Sequence, residues 1–138
     1  MALDPQQALF GALLMRRREA HPDSVYDTFL PPRGTPYPFE YIGNSTMDDD
    51  NGNKTHLLGF VTQQFDVWHD NPRQRGTVSA RLLEIKESCY DLKRTNGYRW
   101  TVQSCNQQIL PDNTTETPLL HGILTVTFRL LGGQDESI

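Results

Sequence analysis

The feature that most constrains the fold is an alternating segment that leads through a sharp corner into a long amphipathic segment, from Phe60 to Leu92. From Phe60 to Trp68, apolar and polar residues alternate. This period of two predicts a strand with one face against a core and the other in water. Beyond the corner at residues 69–72, apolar residues recur at steps of four and three, which predicts a helix. They are Val78, Leu82, Ile85, Cys89 and Leu92.

Both ends of this helix carry suitable capping residues. Asn71 is a good N-cap, and Pro72 fits the first helical position, where a backbone N–H has no helical partner anyway. Asn96-Gly97 predicts the C-terminal end, since glycine tolerates the left-handed conformation of a C-cap. From Pro72 to Leu92 the helix would be about 31 Å long, so the other elements are expected to pack around it.

The remaining segments predict one further helix and several strands. Asp4-Pro5 opens a helix with the same capping pattern, and its apolar surface continues to Arg16. Further strands are predicted at residues 25–29, 38–43, 98–105 and 121–130. Polar stretches at 44–56 and 106–118 predict mobile loops, and residues 132–138 a frayed tail.

These elements predict a single α+β domain over residues 1–138, with an ordered core from about residue 4 to residue 131. Neighbouring strands joined as hairpins favour an antiparallel sheet. We therefore expect a two-layer sandwich, in which a mostly antiparallel sheet of four to five strands carries two helices on one face. A chain of 138 residues is long enough to bury such a core.

Charge and hydropathy narrow the functional classes. The formal net charge of −4 speaks against a dedicated nucleic-acid binder, which usually carries a basic face. No apolar run approaches the length that crosses a bilayer, and the apolar run at residues 8–15 is followed by arginines, whereas in a signal peptide the basic residues come first. A cytosolic protein is expected. Cys89 and Cys105 leave a disulfide or two reduced thiols open, and reduced thiols are favoured in that compartment.

No motif for catalysis, metal binding or a cofactor is present in the sequence. The four histidines are far apart, and no Cys-x-x-Cys, P-loop or Gly-x-Ser-x-Gly motif accompanies them. The segment Asp48 to Gly52 superficially matches a calcium loop. With Gly52 at the sixth position, however, Met47 and Leu58 would stand at positions one and twelve, where oxygen ligands belong.

Two clusters of charged residues have alternative interpretations. Asp66, His69 and Asp70 allow a general-base site, but we favour an outward-facing strand residue and a carboxylate beside a helix start. The run Arg16 to Arg18 allows binding of phosphate or an acidic partner, but cations also suit a helix C-terminus. We keep Arg16 and Arg17 as candidate interface residues.

A leading helix is followed by the segment Pro38-Phe39-Glu40-Tyr41-Ile42-Gly43, by an acidic loop, and by Phe65-Asp66-Val67-Trp68 before a polar corner and the long helix. This order of elements and motifs resembles that of the tail-completion proteins of long-tailed bacteriophages. This group includes tail terminators and tail-to-head joining proteins. The resemblance covers roughly residues 5–130. The loops at 44–56 and 106–118 are long for the group, which leaves open which member this chain resembles.

The resemblance implies a structural protein of the virion and not an enzyme. Such a protein would form a ring, usually of six copies, that caps the tail tube, stops its polymerisation and joins the tail to the head. Its partners would be other copies of itself, the tail-tube protein and the head connector, with no membrane and no cofactor. It would act at the head-proximal end of the tail, after assembly in the host cytoplasm. The alternatives are a head-completion or minor tail protein, or a small ligand-binding or enzymatic α+β domain.

Particular residues fit the ring interpretation on physical grounds. A ring of more than two copies needs two different contact surfaces on each subunit. Arg73 and Arg75 are expected at the start of the long helix, where cations are unfavourable for the helix dipole, so a partner carboxylate would explain them. Asp48, Asp49 and Asp50 are expected to project toward the channel or the tube-facing end and to become ordered on assembly, because they lie at the tip of the longest charged loop. An acidic channel wall would let DNA pass without binding it.

Overall fold

A computed structural model describes residues 4–27, 31–49 and 58–132 of the chain. In these ranges, two helices and six strands follow one another along the chain. They are α1 (Pro5–Ala20), β1 (Val25–Asp27), β2 (Phe39–Asp49), β3 (Gly59–His69), α2 (Arg75–Asp91), β4 (Arg94–Thr95), β5 (Tyr98–Asp112) and β6 (Leu119–Gly132). The α+β class is therefore confirmed.

The strands form one sheet in the order β1-β2-β3-β6-β5-β4. The pairs β2–β3, β3–β6, β6–β5 and β5–β4 are antiparallel, whereas β1 runs parallel to β2. The predicted count of four to five strands was wrong, because the described sheet has six. The sheet is mostly antiparallel as predicted, but the parallel pair β1–β2 makes it mixed. The strand that the prediction missed is β4, which has only two residues, and a segment this short shows no readable alternation.

The core lies between one face of the sheet and the two helices, as a single cluster of buried residues. The alternation predicted for β3 is confirmed, since Val61, Phe65 and Val67 are buried on this face. The helical stripe is confirmed as well, with Val78, Leu82, Ile85 and Cys89 buried along α2. From α1, Leu9 and Leu13 complete the cluster.

A glycine sets how closely α2 approaches the sheet. A Cβ atom on Gly122 of β6 would lie 2.7 Å from Val78 Cγ1 and 3.0 Å from Leu82 Cδ1. Those distances are shorter than van der Waals contact, so the helix packs where this strand has no side chain. The close approach explains why a glycine interrupts an otherwise branched and aromatic strand.

The ends of α2 differ from the prediction. The helix begins at Arg75, with Gln74 in the N-cap position, because the Asn71 side chain instead accepts a hydrogen bond from the Arg73 amide (3.0 Å) and closes a turn before the helix. The helix ends at Asp91. Asn96 and Gly97 join β4 to β5, both with positive φ (53° and 87°), as a two-residue type I′ hairpin requires.

Both stretches predicted as loops are largely strand where the structure describes them. Residues 44–49 continue β2, and residues 106–112 continue β5. Their polar side chains hide the strand signal, but their backbones pair with the regular strands β3 and β6. The loop between β5 and β6 spans only residues 113–118. Gly132, the first residue of the predicted tail, ends β6, whereas residues 50–57 and 133–138 lie outside the described residues.

Candidate interaction surfaces

The structure places the predicted acidic and basic surface residues at opposite ends of the subunit. Asp48 and Asp49 are exposed at the end of β2, opposite the first residues of β3. Arg73 and Arg75 are exposed beyond the last residue of β3. Since β3 has 11 residues, the two groups are separated by about 34 Å at 3.4 Å per residue. Asp50 lies outside the described residues.

Arg17 is not at the surface, and its assignment as an interface residue is corrected. Its side chain is 1% exposed. The Arg17 guanidinium donates to both carboxylate oxygens of Glu40, at 2.7 and 2.9 Å, and to Glu84 Oε2 at 2.9 Å. Arg81 Nε donates to the same Glu40 at 2.8 Å. Arg16 beside it is half-buried and remains a candidate interface residue.

This buried network, Arg17–Glu40–Arg81 with Glu84 at its rim, ties α1, β2 and α2 together. Burial alone lowers the pKa of Arg17, but hydrogen bonds and charge attraction from the two glutamates outweigh it, so the pKa is raised. For Glu84, burial opposes ionisation, while Arg17 and His21 favour it more strongly and lower its pKa. Both pKa shifts favour the charged forms of Arg17 and Glu84, and the network positions the helices on the sheet.

The sequence carries a signal for the burial of Arg17. The residue follows Leu9 and Leu13 at steps of four, so it lies on the same helical face as the apolar stripe of α1. Glu40 likewise precedes the buried Ile42 by two residues and shares its strand face. An ionic residue on an apolar face indicates a buried pair, and reading Arg17 only as part of a basic run missed this.

The other face of the sheet carries an aspartate–histidine pair stacked on a tryptophan. His121 Nε2 lies 2.6 Å from Asp66 Oδ1. The Trp68 ring stacks on the imidazole, with ring centroids 3.7 Å apart and an angle of 12° between the planes. Gln64 Nε2 also donates to the Asp66 carboxylate. Asp66 is 6% exposed, so a buried carboxylate anchors this polar cluster on the face opposite the helices.

The trio Asp66, His69 and Asp70 is not brought together. His69 is buried on the helix face of β3, since it shares the parity of Val67, whereas Asp66 points to the opposite face. His69 Nδ1 lies 3.4 Å from an Asp70 oxygen but makes no hydrogen bond with it. The general-base site that the sequence left open is therefore not formed from these three residues. The partner of Asp66 is His121, 55 positions away, which no local pattern indicated.

A cleft of about 640 Å³ lies at the end of the sheet where β2 begins. Its walls come from the proline-rich segment 31–37, from Trp68 at the end of β3, and from the loop between β5 and β6. Asp112 lines the cleft, and its pKa is lowered because the Thr114 hydroxyl and amide donate to its carboxylate. The cleft therefore combines proline and aromatic walls with a fixed negative charge.

The described ranges contain neither a candidate metal centre nor a helix that could span a membrane. No group of three or more histidine, cysteine, aspartate or glutamate side chains is placed to hold a metal ion there. Neither described helix is long and apolar enough to cross a membrane. Cys89 and Cys105 are free thiols, and burial of Cys89 is the main reason that the pKa of its thiol is raised.

Comparisons with known proteins place the fold. The sequence matches no protein-family model and no curated protein. Among solved structures, the chain is similar to a chain of the structure described as "Virion of native gene transfer agent (GTA) particle". The TM-score is 0.70 at 15% sequence identity, and the similarity covers 96% of this chain and 100% of that chain. The two chains therefore share a fold over almost their whole length.

Proposed function

We propose that this chain is a structural component of a phage-like virion and that it performs no catalysis. The observation that carries the proposal is the shared fold with a chain of a gene transfer agent virion, which covers nearly all of both chains. The sequence resemblance to phage tail-completion proteins, stated above on independent grounds, points to the same class. Fold likeness alone does not define a function, so the agreement of the two observations is what supports the proposal.

Within this class, we infer a tail terminator that assembles into a ring at the head-proximal end of the tail. The ring would cap the tail tube, stop its polymerisation and provide the surface that meets the head connector. Six copies at −4 each carry −24, and a negatively charged ring repels the phosphates of DNA that passes through it. Contacts on two different surfaces of each subunit would close the ring.

The proposed role is tested by electron microscopy of particles from a phage that lacks this chain. Overlong tails without heads are expected, because nothing would stop tube growth. Tails of normal length that fail to attach would assign a joining role instead, and complete heads that leak DNA would assign a head-completion role. Normal infectious particles, or absence of the chain from purified virions, would overturn the structural role altogether.

Arg73 and Arg75 are proposed to contact a neighbouring subunit. Arg73 is exposed just before α2, and Arg75 is exposed in its first turn. The first turn contains no acidic residue. The double variant Arg73→Glu and Arg75→Glu is expected to weaken ring formation, measured as mass in solution against protein concentration. Its matched control is Lys86→Glu with Lys93→Glu, which changes the charge equally near the other end of α2. Equal assembly of both double variants would remove the arginines from the interface.

Asp48 and Asp49 are proposed to face the channel or the tube-facing end of the ring. They stand at the exposed end of β2, immediately before the undescribed residues 50–57. Hydrogen exchange compares the free protein with the assembled ring, and residues 46–54 are expected to become protected on assembly. Unchanged exchange across this segment, in a sample where the ring has formed, would reject this placement.

A further inference from the structure

The outer edge of β5 is largely unpaired in the subunit. β5 runs from Tyr98 to Asp112, and β6 pairs with it along almost this whole length. On its other side, β4 pairs with Tyr98 and Arg99 alone. No other described strand pairs with this edge, so from Thr101 onward its outward-facing backbone groups have no strand partner.

The pairing pattern identifies which amide groups point outward. The Trp100 amide donates to the Lys93 carbonyl (2.9 Å), on the side away from β6. Successive residues of a strand alternate sides, and an irregularity between Val102 and Ser104 shifts this alternation by one residue. Counting from there along the register, three amides point to the open edge: those of Cys105, Gln107 and Ile109. Pro111, which has no N–H, follows at the next outward position, where it breaks no bond to β6.

This edge lacks the features that usually prevent strands from pairing between molecules. Exposed edges are commonly protected by charged side chains, by proline or by short length. The 11 residues from Thr101 to Pro111 contain no charged residue, and the proline stands at their end. Asn106, Gln107 and Gln108 are exposed here, and uncharged amides do not repel an approaching strand.

A second open edge lies on the opposite side of the sheet. β1 pairs with β2 over Glu40, Tyr41 and Ile42 only. Beyond them, β3 is the only described strand that pairs with residues 43–49 of β2, and this pairing has an irregularity just after Ile42. The Glu40 amide donates to the Ser24 carbonyl, away from β3. Successive amides of β2 alternate between the β3 side and the open side, and the pairing resumes at Ser45↔Gln63 after the irregularity. By this alternation, the amides of Ser45 and Met47 point to the open edge.

We propose that the β5 edge of one subunit pairs with the β2 edge of the next, so that the subunit joint is a continuous sheet. This deepens the proposed ring and rests on it. β2 and β5 run in opposite directions across the sheet. Where the strands run along the ring axis, rotation about that axis keeps the direction of each strand, so β5 of one copy meets β2 of its neighbour antiparallel. The two edges are different surfaces, as a closed ring of more than two copies requires.

The open segments of the two edges differ in position along their strands. The short strands β1 and β4 cover the beginning of β2 and the beginning of β5, and these beginnings lie at opposite ends of the sheet. Among the described residues, the open part of the β2 edge covers residues 43–49 and the open part of the β5 edge covers residues 101–111. At the β2 edge, the Gln6 side chain donates to the Ser45 hydroxyl (3.0 Å), a contact that does not involve the Ser45 amide.

The test is residue-resolved hydrogen exchange on the full-length protein below and above its assembly concentration, followed by mass in solution. The outward amides of Cys105, Gln107 and Ile109 are expected to exchange rapidly in the free subunit and slowly after assembly. The amides of Asn106 and Gln108, which face β6, are the internal control and are protected in both states. Protection of the outward amides only after tail tubes are added would assign this edge to the tube protein instead.

A variant tests the same joint independently. Gln107→Pro removes an outward amide and leaves the β5–β6 hydrogen bonds intact, and Gln107→Ala keeps that amide. We expect Gln107→Pro to unfold at the temperature of the Gln107→Ala variant but to require at least about tenfold more protein to assemble. A wild type that forms rings with rapidly exchanging outward amides, or a Gln107→Pro variant that assembles normally, would overturn the edge joint and leave the ring standing. A wild type that never assembles, with or without tail tubes, would overturn both.

Discussion

Removing the charge of Glu40 is the sharpest test of how the helices are held on the sheet. Glu40 is fully buried and accepts hydrogen bonds from Arg17 and Arg81 at 2.7–2.9 Å. Glu40→Gln keeps the size of the side chain but leaves two buried guanidinium groups with one neutral amide between them. Arg17 keeps its bond to Glu84, whose side chain is 42% exposed and screened by solvent. Arg81 keeps only polar contacts with Ser24.

Breaking a buried ion pair on one side costs about 3–5 kcal/mol, because an uncompensated charge stays in the interior. With about 2.1 cal/mol/K of unfolding entropy per residue, a chain of 138 residues has about 290 cal/mol/K. Each 1 kcal/mol therefore lowers the midpoint by about 3.4 °C. Glu40→Gln is expected to lower the Tm by about 10–17 °C.

Scanning calorimetry and urea unfolding at pH 7 measure this loss against two controls. Arg18→Ala breaks the exposed pair of Arg18 with Asp27 and is expected to cost less than about 1 kcal/mol. Replacing the whole trio by Arg17→Met, Glu40→Leu and Arg81→Met removes the three buried charged side chains of this network, and it is expected to recover most of the lost stability. If Glu40→Gln costs no more than Arg18→Ala, the buried network does not hold the helices in the way described.

Three further predictions concern stability. The pKa of Glu84 in the folded state is lowered, so the contribution of Glu84 to the free energy of unfolding is fully present above its unfolded pKa of about 4.3 and is lost as pH falls through the folded pKa. The difference in free energy of unfolding between wild type and Glu84→Gln should therefore shrink on acidification. A constant difference from pH 7 to pH 3 would contradict this. Gly122→Ala should cost about 1–3 kcal/mol through overpacking against α2, whereas Gly11→Ala, at a helical glycine with nothing within 4 Å, should stabilise by about 0.5–1 kcal/mol. Thr95→Val should cost about 1–3 kcal/mol, because the Trp100 indole N–H, now 2.7 Å from the Thr95 hydroxyl, would be buried without a partner; an unchanged midpoint in urea would refute that.

The elements that follow a strong period were predictable from the sequence. The stripe of α2 and the alternation of β3 place their apolar residues on the faces that the structure buries, because each period maps directly onto one face of a regular element. The strand β5 was only half predicted. From residue 106 its side chains are mostly polar and exposed, so what makes it a strand is the backbone of β6, which lies beside it only in the fold.

Asn96-Gly97 shows why local signals have more than one outcome. The dipeptide supplies two residues that tolerate positive φ, and both a helix C-cap and a two-residue hairpin need such residues. The neighbouring segments decide between them. In the structure α2 has already ended at Asp91, and Arg94–Thr95 pairs with the start of β5, so the dipeptide forms the hairpin.

By itself, then, the sequence determined the α+β class, the helix face and the strand face that meet in the core, and the lack of any recognisable catalytic motif. Each of these depends on residues within a few positions of one another. Only the tertiary structure decided that Arg17 is buried against Glu40, that His121 meets Asp66, and that β5 presents an open edge. Those outcomes depend on which strands become neighbours and on what their edges leave uncovered, and that information arises only when distant segments are packed together.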